Sequence, residues 1–126
     1  MPDAVGQFAQ TKYMNLETFR KSGVGVRTPV WFAQPTGRAI FYVYSEADAG
    51  KVKRIRNNPK VRIAPCNFRG KVTGDWVDAT ARICGGDEYA QGQQLLRRKY
   101  WWQKMIGDFF ARILAHKNVV LAIEQA

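Results

Sequence analysis

The spacing of apolar residues predicts a chain made mainly of strands. Runs rich in β-branched and aromatic residues, which strands favour, occupy residues 13–20, 24–33, 39–44, 60–68, 76–83 and 119–123. Turn-forming residues separate several runs, as in Gln34-Pro35-Thr36-Gly37. Because the second and third runs flank this one short turn, we expect them to pair as a β-hairpin.

Three helices are predicted around these strands. Residues 3–10 favour a short leading helix. Ser45-Glu46-Ala47-Asp48 resembles a capping box, and the short helix that follows it ends at Asn57-Asn58-Pro59. Apolar residues at steps of three, four and seven then predict a long amphipathic helix near the C-terminus: Leu95, Trp102, Met105, Ile106, Phe109, Phe110, Ile113 and Leu114.

This order of elements predicts a mainly β fold with added α-helices. Parallel sheets need crossover helices between successive strands, so we expect an antiparallel barrel or sandwich, and of these a small barrel of about six strands. The 126 residues, 46% of them hydrophobic, suit one globular domain spanning residues 1–126. Four tryptophans and an aromatic C-terminal helix exceed what one small core covers, which favours a homodimer.

Cysteine and histidine usage excludes several classes of site. Cys66 and Cys84 stand apart and His116 is the single histidine, so the sequence supports neither a zinc site nor a disulfide framework. We expect both cysteines to be buried as small apolar side chains. No run of about 18 apolar residues occurs, and the N-terminus lacks the order of a secretory signal. We therefore expect a cytoplasmic protein that does not bind a membrane through a spanning segment.

The net charge of +10 predicts an anionic partner. Eight basic residues and no acid lie between Lys51 and Lys71. A solvated surface is the alternative explanation for such a run. Nucleic acid, a membrane surface and a phosphorylated cofactor all remain open on charge alone.

Two glycine motifs do not carry the chemistry that they first suggest. Gly85-Gly86-Asp87-Glu88-Tyr89 looks like a nucleotide-cyclase loop but lacks the upstream carboxylates, so we interpret it as a turn with an acidic first helical turn. Gly23-Val24-Gly25 lacks the third glycine of a dinucleotide fingerprint. No Ser/His/Asp set is visible, so the sequence shows no hydrolytic apparatus.

The start of the short helix is a candidate phosphate site. A helix N-terminus offers amide N–H groups and a positive partial charge, and here Ser45 and Lys51 add a hydroxyl and an ammonium. A helix cap is the alternative role for Ser45. Pro29 lacks a backbone donor, so its strand is expected at a sheet edge, where a flat ring has room to lie.

Four segments in order carry a family resemblance. They are residues 18–21 (Thr-Phe-Arg-Lys), 27–32 (Arg-Thr-Pro-Val-Trp-Phe), 50–59 and 61–66 (Val-Arg-Ile-Ala-Pro-Cys). With Leu95-Leu96-Arg97-Arg98-Lys99-Tyr100, they resemble the FMN-binding split barrels related to pyridoxamine 5'-phosphate oxidase, and within them the branch of deazaflavin (coenzyme F420)-dependent oxidoreductases. The resemblance covers roughly residues 12–123. It implies a split barrel whose two protomers hold the cofactor at their interface.

The resemblance also implies a set of cofactor-binding residues. Arg27 and Thr28 would border the cofactor, and the next three residues would pack beside its ring. Trp76 stands where the oxidase has a glutamine that contacts the flavin, which favours packing over an amide hydrogen bond at that point. The full implied set is Arg27, Thr28, Pro29, Val30, Trp31, Tyr44, Ser45, Gly50, Lys51 and Trp76, with Tyr44, Ser45 and Lys51 at the phosphate. Ordinary core packing is the alternative for Pro29, Val30, Trp31 and Trp76.

The implied activity is hydride transfer to a small unsaturated or carbonyl-like substrate. The cofactor carries that chemistry, so no residue is assigned as catalytic. The branch favours F420, with FMN as the alternative, and Lys53, Arg54 or Arg56 would suit the carboxylates of the F420 tail. A non-catalytic FMN-binding or anion-binding protein is the main rival function. Nucleic-acid binding ranks third, because no recognition motif accompanies the basic residues.

Overall fold

Six strands and two helices make up the part of the chain that the structure describes. The structure is a computed structural model, and it describes residues 6–9, 11–35, 38–100 and 118–125. A short 3-10 helix, Gly6–Phe8, precedes the first strand. The other elements, in chain order, are β1 (Tyr13–Phe19), β2 (Gly25–Trp31), β3 (Ile40–Glu46), α1 (Gly50–Asn57), β4 (Lys60–Cys66), β5 (Val77–Ile83), α2 (Gly86–Tyr100) and β6 (Asn118–Gln125).

The strands form one antiparallel sheet in the order β2-β1-β4-β5-β6-β3. The two outermost strands, β2 and β3, are joined by a bridge between Ala33 and Tyr42, whose backbone groups exchange hydrogen bonds of 3.0 and 2.8 Å. The sheet therefore curls until its edges meet, which is the split barrel expected from the sequence. The predicted strands are confirmed to within a few residues at their ends.

The predicted hairpin between β2 and β3 is wrong. Strand β2 pairs along its whole length with β1, and β3 pairs along its whole length with β6. The segment between β2 and β3, of which residues 36–37 lie outside the described residues, connects the two edge strands of the sheet. Pairing β1 with both β2 and β4 buries β1, which a β2–β3 hairpin would leave at an edge.

The barrel interior and the packing of α2 form two hydrophobic clusters. The interior cluster draws on every strand, with fully buried Met14, Leu16, Phe41, Ile63 and Leu121. On the opposite face of β3 and β6, Tyr42, Val120 and Ala122 pack in a second cluster with Leu96 of α2. Successive side chains of β3 thus point alternately into the two clusters, which is why this strand is buried on both faces.

The helices follow the prediction only in part. Helix α1 ends at Asn57 as expected, but its N-cap is Ala49 and no side chain caps it. The predicted capping box is therefore wrong, because Ser45 belongs to β3 and its hydroxyl donates to the Glu46 carbonyl. Helix α2 begins at Gly86 (φ +54°) with Asp87 and Glu88 in its first turn, as expected. The predicted helical residues after Tyr100 lie outside the described residues, as do residues 3–5 and 10 of the leading helix and His116.

Two smaller expectations are confirmed. Pro29 lies in an edge strand of the sheet, opposite Asn15 of β1. Cys66 and Cys84 are both buried thiols, and burial raises the pKa of each, that of Cys84 to about 12. No helix in the described ranges is long and apolar enough to cross a membrane.

Candidate functional site

A cavity of about 460 Å³ opens between the two edge strands of the barrel. Continuing the antiparallel register of the Ala33–Tyr42 bridge would place residue 31 opposite 44, 30 opposite 45 and 29 opposite 46. All six of these residues instead line the cavity, with Tyr13, Ala49, Lys51 and Phe68 completing its wall. We call this space the seam cavity, since it occupies the part of the seam where β2 and β3 separate.

Pro29 accounts for the position at which the seam opens. A proline cannot donate to a strand ladder, and in a sheet it is tolerated where its nitrogen faces away from the paired neighbour. Pro29 is paired with Asn15 of β1 on its inner side, so its nitrogen is expected to face the seam. A ladder between β2 and β3 therefore cannot be completed at this residue.

Positive charge gathers at the end of the seam cavity that adjoins α1. The half-buried Lys51 lines the cavity, and its pKa is lowered, first by burial and then by the neighbouring Arg54, while Glu46 partly offsets both. The Nε of Arg54 donates to Thr18 Oγ1 at 2.6 Å, which holds the guanidinium in place. A bound anion would relieve the repulsion between these cations and the positive end of the helix.

The missing side chain of Gly50 leaves space for the Arg54 guanidinium beside the start of α1. A Cβ built on Gly50 would lie 2.9 Å from a terminal guanidinium nitrogen of Arg54, so the arginine folds back over the start of α1. The amides of Gly50 and Lys51 belong to the first turn, for which the helix itself supplies no acceptors. The helix start, Lys51 and Arg54 together form a cradle that suits a phosphate group.

The rest of the cavity wall is largely aromatic. The rings of Tyr13 and Trp31 lie 6.3 Å apart at an angle of 37°. Burial raises the pKa of Tyr44 to about 12, so its hydroxyl keeps its proton even where an ordinary tyrosine would lose it. Ser45 is buried at the junction between this aromatic wall and the cationic end. The cavity can thus hold a molecule with a flat ring at one end and an anionic group at the other.

Three of the ten predicted residues lie away from the cavity. Arg27 is paired with the buried carboxylate of Glu17 at 2.9 Å, and Arg62 approaches the same carboxylate at 3.3 Å. Both guanidinium groups lie over the ring of Trp76, at 4.7 and 5.0 Å from its centre. Thr28 is paired with Leu16 and so shares the face of that core residue.

The other predicted residues come together. Pro29, Val30, Trp31, Tyr44, Ser45 and Lys51 line the seam cavity, and Gly50 lies between the lining residues Ala49 and Lys51. Sequence reasoning missed four lining residues: Tyr13, Glu46, Ala49 and Phe68. Phe68 had a usable signal, because its neighbours Asn67, Arg69 and Gly70 favour a turn, although the sequence analysis extends the strand to residue 68. In the structure β4 ends at Cys66 and the Phe68 side chain is 67% exposed. Tyr13 carried none.

The donor set does not suggest a metal. Among the residues that the structure describes, no group of three or more His, Cys, Asp or Glu side chains could hold a metal ion. The cavity volume falls in the range of about 300–1,000 Å³ that small-molecule sites occupy. The cavity, its cationic cradle and its aromatic wall therefore fit an organic cofactor that carries a phosphate.

Solved structures share this fold across nearly the whole chain. A candidate pyridoxamine 5'-phosphate oxidase from Listeria innocua is similar with a TM-score of 0.64 and 12% identity, covering 97% of this chain and 87% of that one. HutZ, the heme storage protein of Vibrio cholerae, gives 0.69 and 16%, with the same coverage. A protein related to general stress protein 26 from Clostridium acetobutylicum, of the pyridoxinephosphate oxidase family, gives 0.65 and 15%, covering 97% and 78%.

The similarity is one of structure. No family model matches the sequence, and no curated protein matches it. The structural neighbours are pyridoxamine 5'-phosphate oxidase-like split-barrel proteins, as the resemblance in the sequence implied. At identities of 12–18%, this likeness establishes the fold alone.

Proposed function

We propose that this split barrel binds a phosphorylated flavin-type cofactor in the seam cavity and uses it as an oxidoreductase. The observation that carries the proposal is the cationic cradle of Lys51, Arg54 and the α1 N-terminus beside an aromatic wall in the opened seam. A flavin-type cofactor likewise has a flat tricyclic ring at one end and an anionic ribityl phosphate at the other. When bound, such a cofactor supplies hydride transfer.

The fold and the cradle together support a flavin-type ligand. The neighbours from Listeria innocua and Clostridium acetobutylicum bear the names of oxidases or of an oxidase family. HutZ bears the name of a heme storage protein, so the fold alone does not define the ligand. The cradle suited to a phosphate is the feature of this chain that favours a flavin nucleotide over heme, whose anionic groups are carboxylates.

We propose F420 as the cofactor, with FMN as the alternative. Both share the phosphate and the tricyclic ring, and F420 adds a lactyl-glutamate tail with carboxylates. Lys53 and Arg56 are exposed on α1, the helix whose start forms the cradle, and are the cations that we propose for such a tail. Arg54 is engaged with Thr18 and serves the phosphate in this scheme.

We further propose that the active unit is a homodimer. The seam cavity is open to solvent, and the exposed Phe68 stands at its rim. Arg27 and Trp76, which the family resemblance places at the cofactor, do not line the cavity of their own protomer. A second protomer that covers the rim would bring such residues to the ring and bury the aromatic surface.

Titration of FMN into the purified apoprotein tests the cradle. Replacing Lys51 with Ala removes a charged partner of the phosphate, which typically contributes ~1.5–3 kcal/mol, so we expect Kd to rise at least tenfold. Lys53→Ala is the matched control, two residues further along α1, and its Kd for FMN should stay within threefold. Equal affinities for wild type and Lys51→Ala would contradict the proposed phosphate site.

Parallel experiments separate the remaining alternatives. In titrations with F420, Lys53→Ala should weaken binding more than it does with FMN, because only F420 carries the tail. Substrate-dependent oxidation of the reduced cofactor distinguishes an oxidoreductase from a protein that only binds FMN. A protein that binds the cofactor and fails to turn over any quinone, enone or nitroaromatic acceptor would be a carrier.

A further inference from the structure

Five exposed cations gather at the end of the barrel that α1 covers. They come from the β1–β2 turn, from α1 and from the start of β4: Arg20, Lys21, Lys53, Arg56 and Lys60. Continuing the β1–β4 register places Phe19, the last residue of β1, opposite Lys60. Arg54 of α1 contacts Thr18 at this same end of β1. The three elements are therefore neighbours, and we call the surface formed by the five cations the basic end.

The described carboxylates do not neutralise the basic end. The ion pairs among the described residues all involve three arginines of the sheet: Arg27, Arg62 and Arg82. Of the two acids just before α1, Glu46 acts on Lys51, and the exposed Asp48 forms no ion pair with a described residue. Solvated helix faces commonly carry charges of alternating sign, so this surface has an excess of positive charge that solvation alone does not explain.

Repulsion within α1 opposes folding of the basic end. The helix carries four cations and no acid. Like charges three or four residues apart on a helix repel each other, and Lys53 and Arg56 have this spacing. Lys51 in the first turn also opposes the helix dipole. A partner rich in negative charge would relieve this repulsion when it binds.

The β1–β2 turn presents its two cations on a well-defined backbone. The Arg20 amide donates to the Val24 carbonyl at 2.9 Å, and the Gly23 amide donates to the Arg20 carbonyl at 2.8 Å. Gly23 has a φ of +90°, a conformation that glycine adopts without strain. These bonds do not use the side chains of Arg20 and Lys21. Both side chains can therefore meet a partner, and both can be replaced without disturbing the turn.

The side chains of the basic end suit phosphates better than bases or lipid. The exposed large hydrophobic side chains among the described residues are Val24 and Phe68, and of these only Val24 lies at the basic end. Bases held by stacking need aromatic side chains, and membrane-binding surfaces combine cations with a broad apolar face. A single valine supplies neither. Arg and Lys bind phosphate oxygens directly, through charge-assisted hydrogen bonds.

We propose that the basic end binds double-helical nucleic acid through its phosphates, without reading the base sequence. A duplex carries one negative charge per about 1.7 Å of its axis, so cations from three neighbouring elements can meet phosphates at the same time. This inference goes beyond the proposed function and does not depend on it. FMN lacks the tail that we propose for Lys53 and Arg56, so FMN should not compete with the duplex.

Fluorescence anisotropy of a labelled DNA duplex of mixed sequence, measured at salt concentrations from about 50 to 200 mM, tests this proposal. The test variant combines Arg20→Gln with Lys21→Gln and removes two cations of the basic end. The control combines Arg38→Gln with Arg98→Gln, which removes the same charge from exposed residues at the opposite end of the barrel. Arg38 precedes β3, and Arg98 adjoins Lys99, whose Nζ donates to the Thr11 carbonyl before β1. Circular dichroism of both variants checks that the fold is intact.

We expect the test variant to bind the duplex at least about fivefold more weakly than wild type at the lowest salt concentration, and the control to stay within about twofold. The slope of log K against log salt should be shallower by about 1.8 in the test variant, since each phosphate contact contributes about 0.9. Failure of wild type to bind the duplex, or an equal loss in the two variants, would overturn the assignment. Binding to phosphatidylserine vesicles without binding to the duplex would also overturn it, in favour of a lipid surface.

Discussion

The surroundings of Lys51 disfavour the charged form of its side chain. Burial and Arg54 lower its pKa below the ordinary 10.5, so its ammonium loses its proton at lower pH than a solvated lysine does. A phosphate dianion pairs with the protonated form only. The affinity for the cofactor should therefore depend on pH through the protonation of Lys51.

We expect the affinity of wild type for FMN to fall as pH rises toward 10, starting below the range where an ordinary lysine titrates. The decline follows from the lowered pKa of free Lys51. Lys51→Arg should bind FMN with a flatter pH profile, because arginine keeps its charge throughout. Calorimetric titrations from pH 7 to pH 10 measure both profiles, and parallel profiles would exclude Lys51 as the titrating group.

Lys99 offers a second titration, with a readout in stability. Burial lowers its pKa to about 8, although its Nζ donates to the Thr11 carbonyl at 3.2 Å and lies 3.7 Å from the centre of the Phe32 ring. The unfolded state, with a pKa near 10.5, then binds more protons than the folded state between pH 8 and 10.5. Stability from this group is complete above pH 10.5 and is lost as pH falls through 8.

Wild type should accordingly gain stability relative to Lys99→Met between pH 7.5 and pH 10. The full shift corresponds to ~3 kcal/mol at 1.36 kcal/mol per unit, and we expect about 1–2 kcal/mol because the side chain is only partly buried. Urea unfolding of both proteins at the two pH values gives the difference. A difference that does not change with pH would show that Lys99 is solvated.

At the scale of single residues, the sequence predicts the cationic end of the site better than it predicts the lining residues Tyr13 and Phe68. Lys51 at a helix start conflicts with the helix dipole, and that conflict is visible in the sequence. Tyr13 and Phe68 reach the cavity only because β1 lies beside β2 and because the β4–β5 turn folds back onto Pro29. Such contacts depend on topology, which residue types alone do not encode.

Among the elements, strand positions follow from the sequence and strand partners do not. Alternation and turn residues place β2 and β3 within a few residues of their observed ends. The predicted hairpin is wrong because strands that follow one another along the chain need not pair in the sheet. In a barrel the two edge strands approach each other because the sheet curls, whatever their separation in sequence. The extent of pairing between β2 and β3 therefore depends on how far the sheet curls.

Gly92 sets the distance between α2 and the sheet. A Cβ there would lie 2.8 Å from Val120 Cγ1 and 3.0 Å from Tyr42 Cδ1, and both neighbours are fully buried. Gly92→Ala should therefore destabilise the protein by about 1–2 kcal/mol, since overpacking outweighs the ~1 kcal/mol gain in helix propensity. Urea unfolding measures the change. Gly85→Ala is the control: nothing lies within 4 Å of its Cβ, and its stability should change by less than about 1 kcal/mol. Equal stabilities for the two variants would contradict close packing at Gly92.

On the scale of the whole molecule, we predict that sedimentation equilibrium at micromolar concentration gives twice the 14.4-kDa mass of the chain. The physical reason is the aromatic surface at the rim of the seam cavity, where Phe68 is two-thirds exposed. Raising the protein concentration through the monomer–dimer range should also tighten FMN binding. A monomer that binds FMN at full affinity would contradict a site completed by two protomers.

The open seam between β2 and β3 exposes main-chain groups as well as side chains to a ligand. Where β2 and β3 separate, both present main-chain N–H and C=O groups toward whatever fills the gap. Recognition through main-chain atoms tolerates replacement of almost any side chain, provided that the gap itself is kept open. Side-chain replacements around the seam would thus leave the main-chain edges of this barrel accessible to a ligand.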